Sequence, residues 1–189
     1  MKKSLGSLGK SRKKEGGFTL IELLIVILII GILATLTVGV VRIAQRKAAI
    51  AKASSVVGTL NQALQMYHEE NGYLPGRESE AGENVISEVV RALWGTYAKI
   101  SEKDIGVIDV EGEPPRPATR EELDDPEVPK VIVDPWGWEY IARENESKEK
   151  KEPWMRNKNF MDVYSRGPNE RDDTFELVTG RENDDIGNW

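Results

Sequence analysis

Residues 18–41 form an unbroken apolar run that carries one charge, Glu22. At about 1.5 Å per residue such a run crosses a hydrocarbon core of about 30 Å with some tilt. A carboxylate at its fifth position costs roughly 2.5–3.5 kcal/mol in a membrane, so it calls for a partner. The residues just upstream supply one. A leader rich in Lys and Arg, with Lys13, Lys14 and Glu15 near its end, closes on Gly16-Gly17, and Phe18 follows. A cut between Gly17 and Phe18 would create an ammonium group at Phe18, able to neutralise Glu22 of a neighbouring copy. The run therefore reads as the assembly helix of a cleaved subunit. A secretory signal would have an apolar core of only about 7–15 residues, with its cut after the core. A plain anchor leaves both Glu22 and the Gly17-Phe18 junction without a role.

The charge of the chain is segregated. The leader holds six Lys/Arg against one Glu, while the net charge of the whole is −6, so the body is strongly acidic. A basic flank inside and an acidic domain outside follow the positive-inside rule. An acidic body lacks the basic face that nucleic-acid binding needs. Zero cysteine excludes a disulfide framework and thiol redox chemistry.

Beyond Val41 the period changes but no breaker intervenes. Ile43, Ile50, Val57, Leu60, Leu64 and Tyr67 recur at steps of seven, three and four, the face of an amphipathic helix. One helix is expected from about residue 18 to about 70, stopped by Asn71-Gly72. Gly31 and Gly39 either loosen its apolar half or permit close helix packing. Residues 85–100 read as a second helix with Val85, Val89, Leu93 and Ile100 inward. Residues 101–130, rich in proline and acid, read as a surface insertion with little regular structure. Val131-Ile132-Val133 is a strand candidate, Asp134-Pro135-Trp136-Gly137 a turn, residues 138–142 the returning strand, 144–152 a charged loop and 160–165 a third strand. Trp136, Trp138 and Trp154 are expected in the core rather than on a binding face, and Trp189 is expected to pin the tail.

The segment Gly16-Gly17-Phe18-Thr19-Leu20-Ile21-Glu22 resembles the processing signal of type IV pilins and pseudopilins. Asn71-Gly72-Tyr73-Leu74-Pro75, Asp134-Pro135-Trp136-Gly137, Asp162-Val163-Tyr164-Ser165-Arg166-Gly167 and the closing Asp184-Asp185-Ile186-Gly187-Asn188-Trp189 are similar to landmarks of the major pseudopilins of type II secretion systems. The resemblance covers residues 13–75 and 131–189 but not the stretch 76–130.

This resemblance implies a pilin-like α+β fold, with a long N-terminal helix packed on a small antiparallel sheet domain. The chain then divides into a cleaved leader (1–17), a transmembrane and filament-core helix (18–41), its amphipathic continuation (42–72), a variable insertion with a short helix (73–130) and a β-sheet domain with an acidic C-terminal loop (131–189). It implies cleavage between Gly17 and Phe18 by a prepilin peptidase, N-methylation of Phe18, and an assembly role for Glu22. The implied function is the major subunit of a periplasmic pseudopilus that drives protein export. The chain would be a single-pass inner-membrane protein with its C-terminal domain in the periplasm. Its partners would be copies of itself, the peptidase, an inner-membrane assembly platform and minor pseudopilins. A type IV pilus subunit for adhesion or motility, and a minor or competence pseudopilin, are the alternatives.

Oxygen-bearing residues crowd the stretch 167–185: Asn169, Glu170, Asp172, Asp173, Glu176, Glu182, Asn183, Asp184 and Asp185. Such acidic runs are ordinarily solvated tails, and this one lacks the spacing of an EF-hand. The family resemblance implies a calcium ion here, in the role a disulfide has in many pilins. Asn169, Asp172, Asp173, Asp184 and Asp185 are its candidate ligands, calcium being a cation that takes six to eight oxygens. Asn169 replaces an acid of the family pattern and lowers the negative charge of the site. His68 is the sole histidine, expected on an exposed helix face, and no nucleophile elbow or phosphate loop is present, so no enzymatic activity is expected.

Overall fold

The computed structural model describes residues 17–76, 83–144, 156–157, 160–176 and 183–189; the side chains of 36–38 and 175–176 are outside the description. Trp154, Glu182, most of the leader and all but Glu144 of the charged loop at 144–152 therefore lie outside the described residues. The chain forms two compact units, Met1–Ala44 and Gln45–Trp189.

Helix α1 (Leu20–Asn71) runs without interruption through Gly31 and Gly39. In the first unit, none of its most apolar stretch is buried. In the second unit, Ala53, Val57, Leu60 and Leu64 are buried, at steps of three and four. Ile43 and Ile50, expected on the same buried face, are instead 61% and 37% exposed, so burial begins only at Ala53. The helix ends as the sequence requires. Gly72 adopts φ 77°, and its N–H donates to the His68 carbonyl at 2.8 Å. That left-handed turn favours glycine, which has no Cβ to strain it.

Helix α2 (Ile86–Leu93) buries Ile86, Val89, Val90 and Leu93 against the core. The helix expected over 85–100 stops at Leu93, because Trp94 turns extended and Gly95 takes φ 81°. Residues 101–130 depart further from expectation. They contribute strands β1 (Ile105–Val107) and β2 (Arg116–Pro117) and helix α3 (Arg120–Asp124). With strand β3 (Lys130–Ile132) they form an antiparallel sheet of order β2-β1-β3, pairing Ile105 with Ile132 and Gly106 with Pro117. A Cβ on Gly106 would stand 2.7 Å from Val133 Cγ2 and 2.9 Å from the Arg116 carbonyl oxygen, so the strands can approach only with glycine there.

Strands β4 (Ile141–Arg143) and β5 (Asp162–Ser165), helix α4 (Asp173–Glu176) and strand β6 (Ile186–Gly187) complete the chain. A second antiparallel sheet has order β4-β5-β6. The two sheets are linked at the Asp134 turn, where Gly137 N–H donates to the Asp134 carbonyl and Tyr140 N–H to the Ile132 carbonyl. The returning strand expected at 138–142 thus begins as a single bridge, Val133 to Glu139, before β4 proper. Side chains of α1, α2 and both sheets share one apolar cluster, including Leu60, Leu64, Val89, Ile132, Tyr140 and Val163. This is the α+β architecture the sequence implies. Trp136 and Trp138 are only partly buried, contrary to expectation, and the large aromatics of the core are Tyr140 and Tyr164.

Helix α3 is too short to stand on propensity, and its N-terminus is closed by a capping box between Thr119 and Glu122. Glu122 also takes Arg116 Nη1 and Nη2 at 2.8 and 2.5 Å. Arg116 first, then the Thr119 donors, lower the Glu122 carboxyl to about 2. A carboxyl lowered by folding contributes stability above its unfolded value of 4.5, and loses it as pH falls toward about 2. The protection of α3 amides, taken relative to their intrinsic exchange rates at each pH, should therefore fall through that acid window in the wild type. In Glu122→Gln the same protection should be lower and nearly independent of pH across the window.

Candidate assembly end and acidic loop

Gly17, Phe18 and Thr19 precede the first turn of α1, and Gly17 and Phe18 are exposed. A Cβ on Gly17 would meet nothing within 4 Å, and its backbone is not left-handed. The fold itself therefore places no demand for glycine at this position. Thr19 N–H and Oγ1 each donate to Glu22 Oε2 at 2.8 Å, and Glu22 N–H donates to Thr19 Oγ1 at 3.3 Å. Within one copy Glu22 thus caps its own helix, and among the described residues no cation pairs with it. The cap leaves the formal charge of the carboxylate uncompensated. Farther along the exposed apolar stretch, and turned away from Glu22 by the helical period, Leu24, Ile27, Leu28, Gly31, Ile32 and Thr35 line a shallow apolar groove.

The acidic loop is built on the second sheet. Ser165, at the end of β5, donates to Asp134 Oδ2 at 2.6 Å and accepts from Gly167 N–H at 3.1 Å. Asp134 Oδ1 in turn accepts the N–H groups of Trp136 and Trp138. Two landmarks distant in sequence, Asp-Pro-Trp-Gly and Ser-Arg-Gly, are thereby one buried knot. Gly167 has φ 68°, and a Cβ there would collide with the carbonyl oxygen of Asp184. The two limbs of the loop touch at this glycine.

Across that contact three carboxylates converge. One ligand oxygen from each of Asp173, Asp184 and Asp185 lies within 4.8 Å of the others. Asp173 is buried, and Oδ1 of each of the three has no hydrogen-bond partner. Burial, then the charge of Asp173, raises the Asp184 carboxyl. Burial raises Asp185 to about 6 against the pull of Thr174, with Asp172 and Asp173 adding to the rise. Unpaired oxygens turned toward one another in a partly dry site are unfavourable unless a cation joins them. An all-oxygen donor set with backbone carbonyls at hand suits calcium.

The five residues proposed from sequence do not all converge. Asn169 reaches the group through its amide, with Nδ2 donating to Asp173 Oδ2 at 2.6 Å. Asp172 turns instead to Arg143 Nη1 at 2.7 Å and to the Tyr164 hydroxyl, which donates at 2.8 Å. A buried guanidinium outcompetes the cluster for that carboxylate, so Asp172 braces the loop on β4 and β5. Glu170 accepts from Trp138 Nε1 at 3.2 Å and stands apart as well. Composition did not single out Thr174, whose N–H donates to Asp185 Oδ2 at 2.7 Å, or the structural part of Asn183, which donates to Thr174 Oγ1 and accepts from Asp185 N–H.

Comparison with known proteins bears on the chain as a whole. The prokaryotic N-terminal methylation motif matches residues 12–38. The type II secretion system core protein G of Dickeya chrysanthemi is 30% identical over 94% of this chain and 88% of its own length. The chain belongs to the type II secretion system core protein G family. Core protein G of Pectobacterium carotovorum subsp. carotovorum is 29% identical over 97% of this chain and 90% of its own. The major pseudopilin from the type 2 secretion system of enterohaemorrhagic Escherichia coli is similar at 23% identity, covering 77% of this chain and 87% of that one, with a TM-score of 0.35. Because these two core protein G matches run nearly end to end, they take in the stretch 76–130 as well as the landmarks.

Proposed function

We propose that this chain is the repeating subunit of the pseudopilus of a type II secretion system, a structural protein rather than an enzyme. The near-full-length similarity to core protein G relatives carries this reading. A prepilin peptidase removes residues 1–17 and the amine of Phe18 is methylated, as the motif over residues 12–38 suggests. Residues 18–41 hold the mature chain in the inner membrane with the body in the periplasm, then pass into the core of a helical filament. There Glu22 meets the Phe18 ammonium of the adjacent copy. An apolar helix with no cover of its own is suited to such a bundle, and head-to-tail contacts that do not close give a filament. An assembly platform and minor pseudopilins complete the machine. The type IV pilus reading has only a half-length similarity, 34% over 50% of this chain, to a fimbrial protein of Neisseria meningitidis serogroup B, and the core protein G similarity over nearly the whole chain outweighs it. Removing the chain from its host should trap exported proteins in the periplasm while leaving surface fibres intact. Normal secretion without it would contradict the reading.

The acidic loop binds calcium in this account. Asp173, Asp184 and Asp185 would hold the ion; Asn169 would join them only by turning its amide, because its Oδ1 accepts from Arg171 N–H at 2.7 Å while its Nδ2 faces Asp173. The ion would supply positive charge that joins the two limbs of the loop. Chelation should lower the thermal midpoint of the mature chain by several degrees, about what a loss of 1–2 kcal/mol produces in a domain of this size. In Asp185→Asn, calcium and chelator should give the same midpoint. A wild-type midpoint indifferent to calcium would refute the site.

A further inference from the structure

Strand β6 has only two residues, one of them glycine, yet it carries Asp184 and Asp185 at its entrance. So short a strand does not hold itself. Beyond its pairing with β5, it is held by Asn188. Its N–H donates to the Val163 carbonyl at 3.1 Å, and its Oδ1 accepts from Val163 N–H at 3.1 Å. Its Nδ2 donates to the Met161 carbonyl and to Asn61 Oδ1 on α1, both at 3.0 Å. One amide side chain thus joins the C-terminal tail to β5 and to the long helix. Beside it the Trp189 ring packs on Tyr164 at 5.6 Å, over Gly187, where a Cβ would collide with the indole.

The other limb of the loop is fixed independently, by Asp172 on Arg143 and Tyr164. The tail limb brings Asp184 and Asp185 against buried Asp173, whose Oδ1 is unpartnered. Closing the tail therefore sets like charges together, and Asn188, with the β5–β6 pairing and the Thr174 N–H on Asp185, opposes their repulsion.

We propose that Asn188 and Asn61 are positioning residues for the metal site: docking of residues 183–189 on β5 and α1, and uptake of the ion, are one linked equilibrium. Neither residue touches the ion. Each raises its affinity by holding Asp184 and Asp185 where Asp173 already waits. The inference rests on the calcium reading above. It adds that the helix of the filament subunit senses whether the loop is filled.

The test uses the mature full chain in detergent, with calcium titrated calorimetrically into wild type, Asn61→Ala, Asn188→Ala and the double variant. Alanine is the better helix former, so Asn61→Ala leaves α1 intact. Asn61→Ala should weaken calcium binding roughly fivefold, the worth of one net hydrogen bond, and Asn188→Ala more. The double variant should bind no more weakly than Asn188→Ala, because both changes break the same Asn61–Asn188 bond. Added calcium should slow exchange of the Asn188 amide in wild type, and less so in Asn61→Ala. Asn71→Ala, which removes a bond from Nδ2 to the Tyr67 carbonyl at the far end of α1, should bind as wild type does. Equal affinity in wild type, Asn61→Ala and Asn188→Ala overturns the linkage while leaving the site standing. Weakening by Asn71→Ala equal to that by Asn61→Ala would reduce the effect to general stability and also overturn it. A wild-type chain that takes up no calcium removes the site and this inference together.

Discussion

Gly17→Val should leave the chain uncut, with the precursor accumulating and the rate of leader removal down about 100-fold or more. The structure makes this substitution informative. Nothing stands within 4 Å of where a side chain would begin, and the backbone there is open to any residue. Valine at 17 therefore folds and inserts as glycine does, and any loss reports recognition by the peptidase. A scissile bond displaced by about 1 Å in an active site is enough to cost two orders of magnitude. The measurement is a pulse-chase that follows loss of the leader by mass. A variant processed at the wild-type rate would show that the junction is not read at Gly17.

Glu22→Ala should be cut and inserted normally and then fail to assemble. Glu22 has two roles that can be separated. Within one copy it accepts from Thr19 N–H and Oγ1 and caps α1. Between copies its charge would answer the Phe18 ammonium in a water-poor filament core. Removing one partner of a buried pair costs about 3–5 kcal/mol, which is about 10²–10⁴-fold in the affinity of one subunit for the next. Loss of the cap alone costs about 1 kcal/mol. Glu22→Gln keeps an acceptor for Thr19 and removes the charge. If charge governs assembly, both variants fail in a cross-linking assay of filament ladders. If Glu22→Gln assembles while Glu22→Ala does not, the cap is what matters and the intersubunit pair falls.

The long helix and its stop were fully legible, because period and breaker speak locally: apolar steps of three and four, then Asn71-Gly72. The Asp134 turn was legible for the same reason. The sheet in residues 101–130 was not. β1 is three residues with a glycine at its centre, β2 is two residues with a proline, and neither carries a period. They are strands only because β3 lies beside them, and that is a long-range fact. Ile43 and Ile50 show the converse, a good local pattern whose side chains nevertheless stay exposed. At the acidic loop the donors were legible as a composition. Their sorting was not, since Asp172 is withdrawn by Arg143 and Tyr164, which come from two different strands. Asn188 stands out in sequence only as part of a landmark, and its four hydrogen bonds have no signature there.

The central claim is that this chain is a processed filament subunit. Its most direct test is the intact mass of the protein taken from its native membrane. The account predicts a chain that begins at Phe18 and carries one added methyl group. A chain that still begins at Met1 would contradict it: Glu22 would then have no ammonium to meet, and the filament mechanism would lose the pair that sets its register.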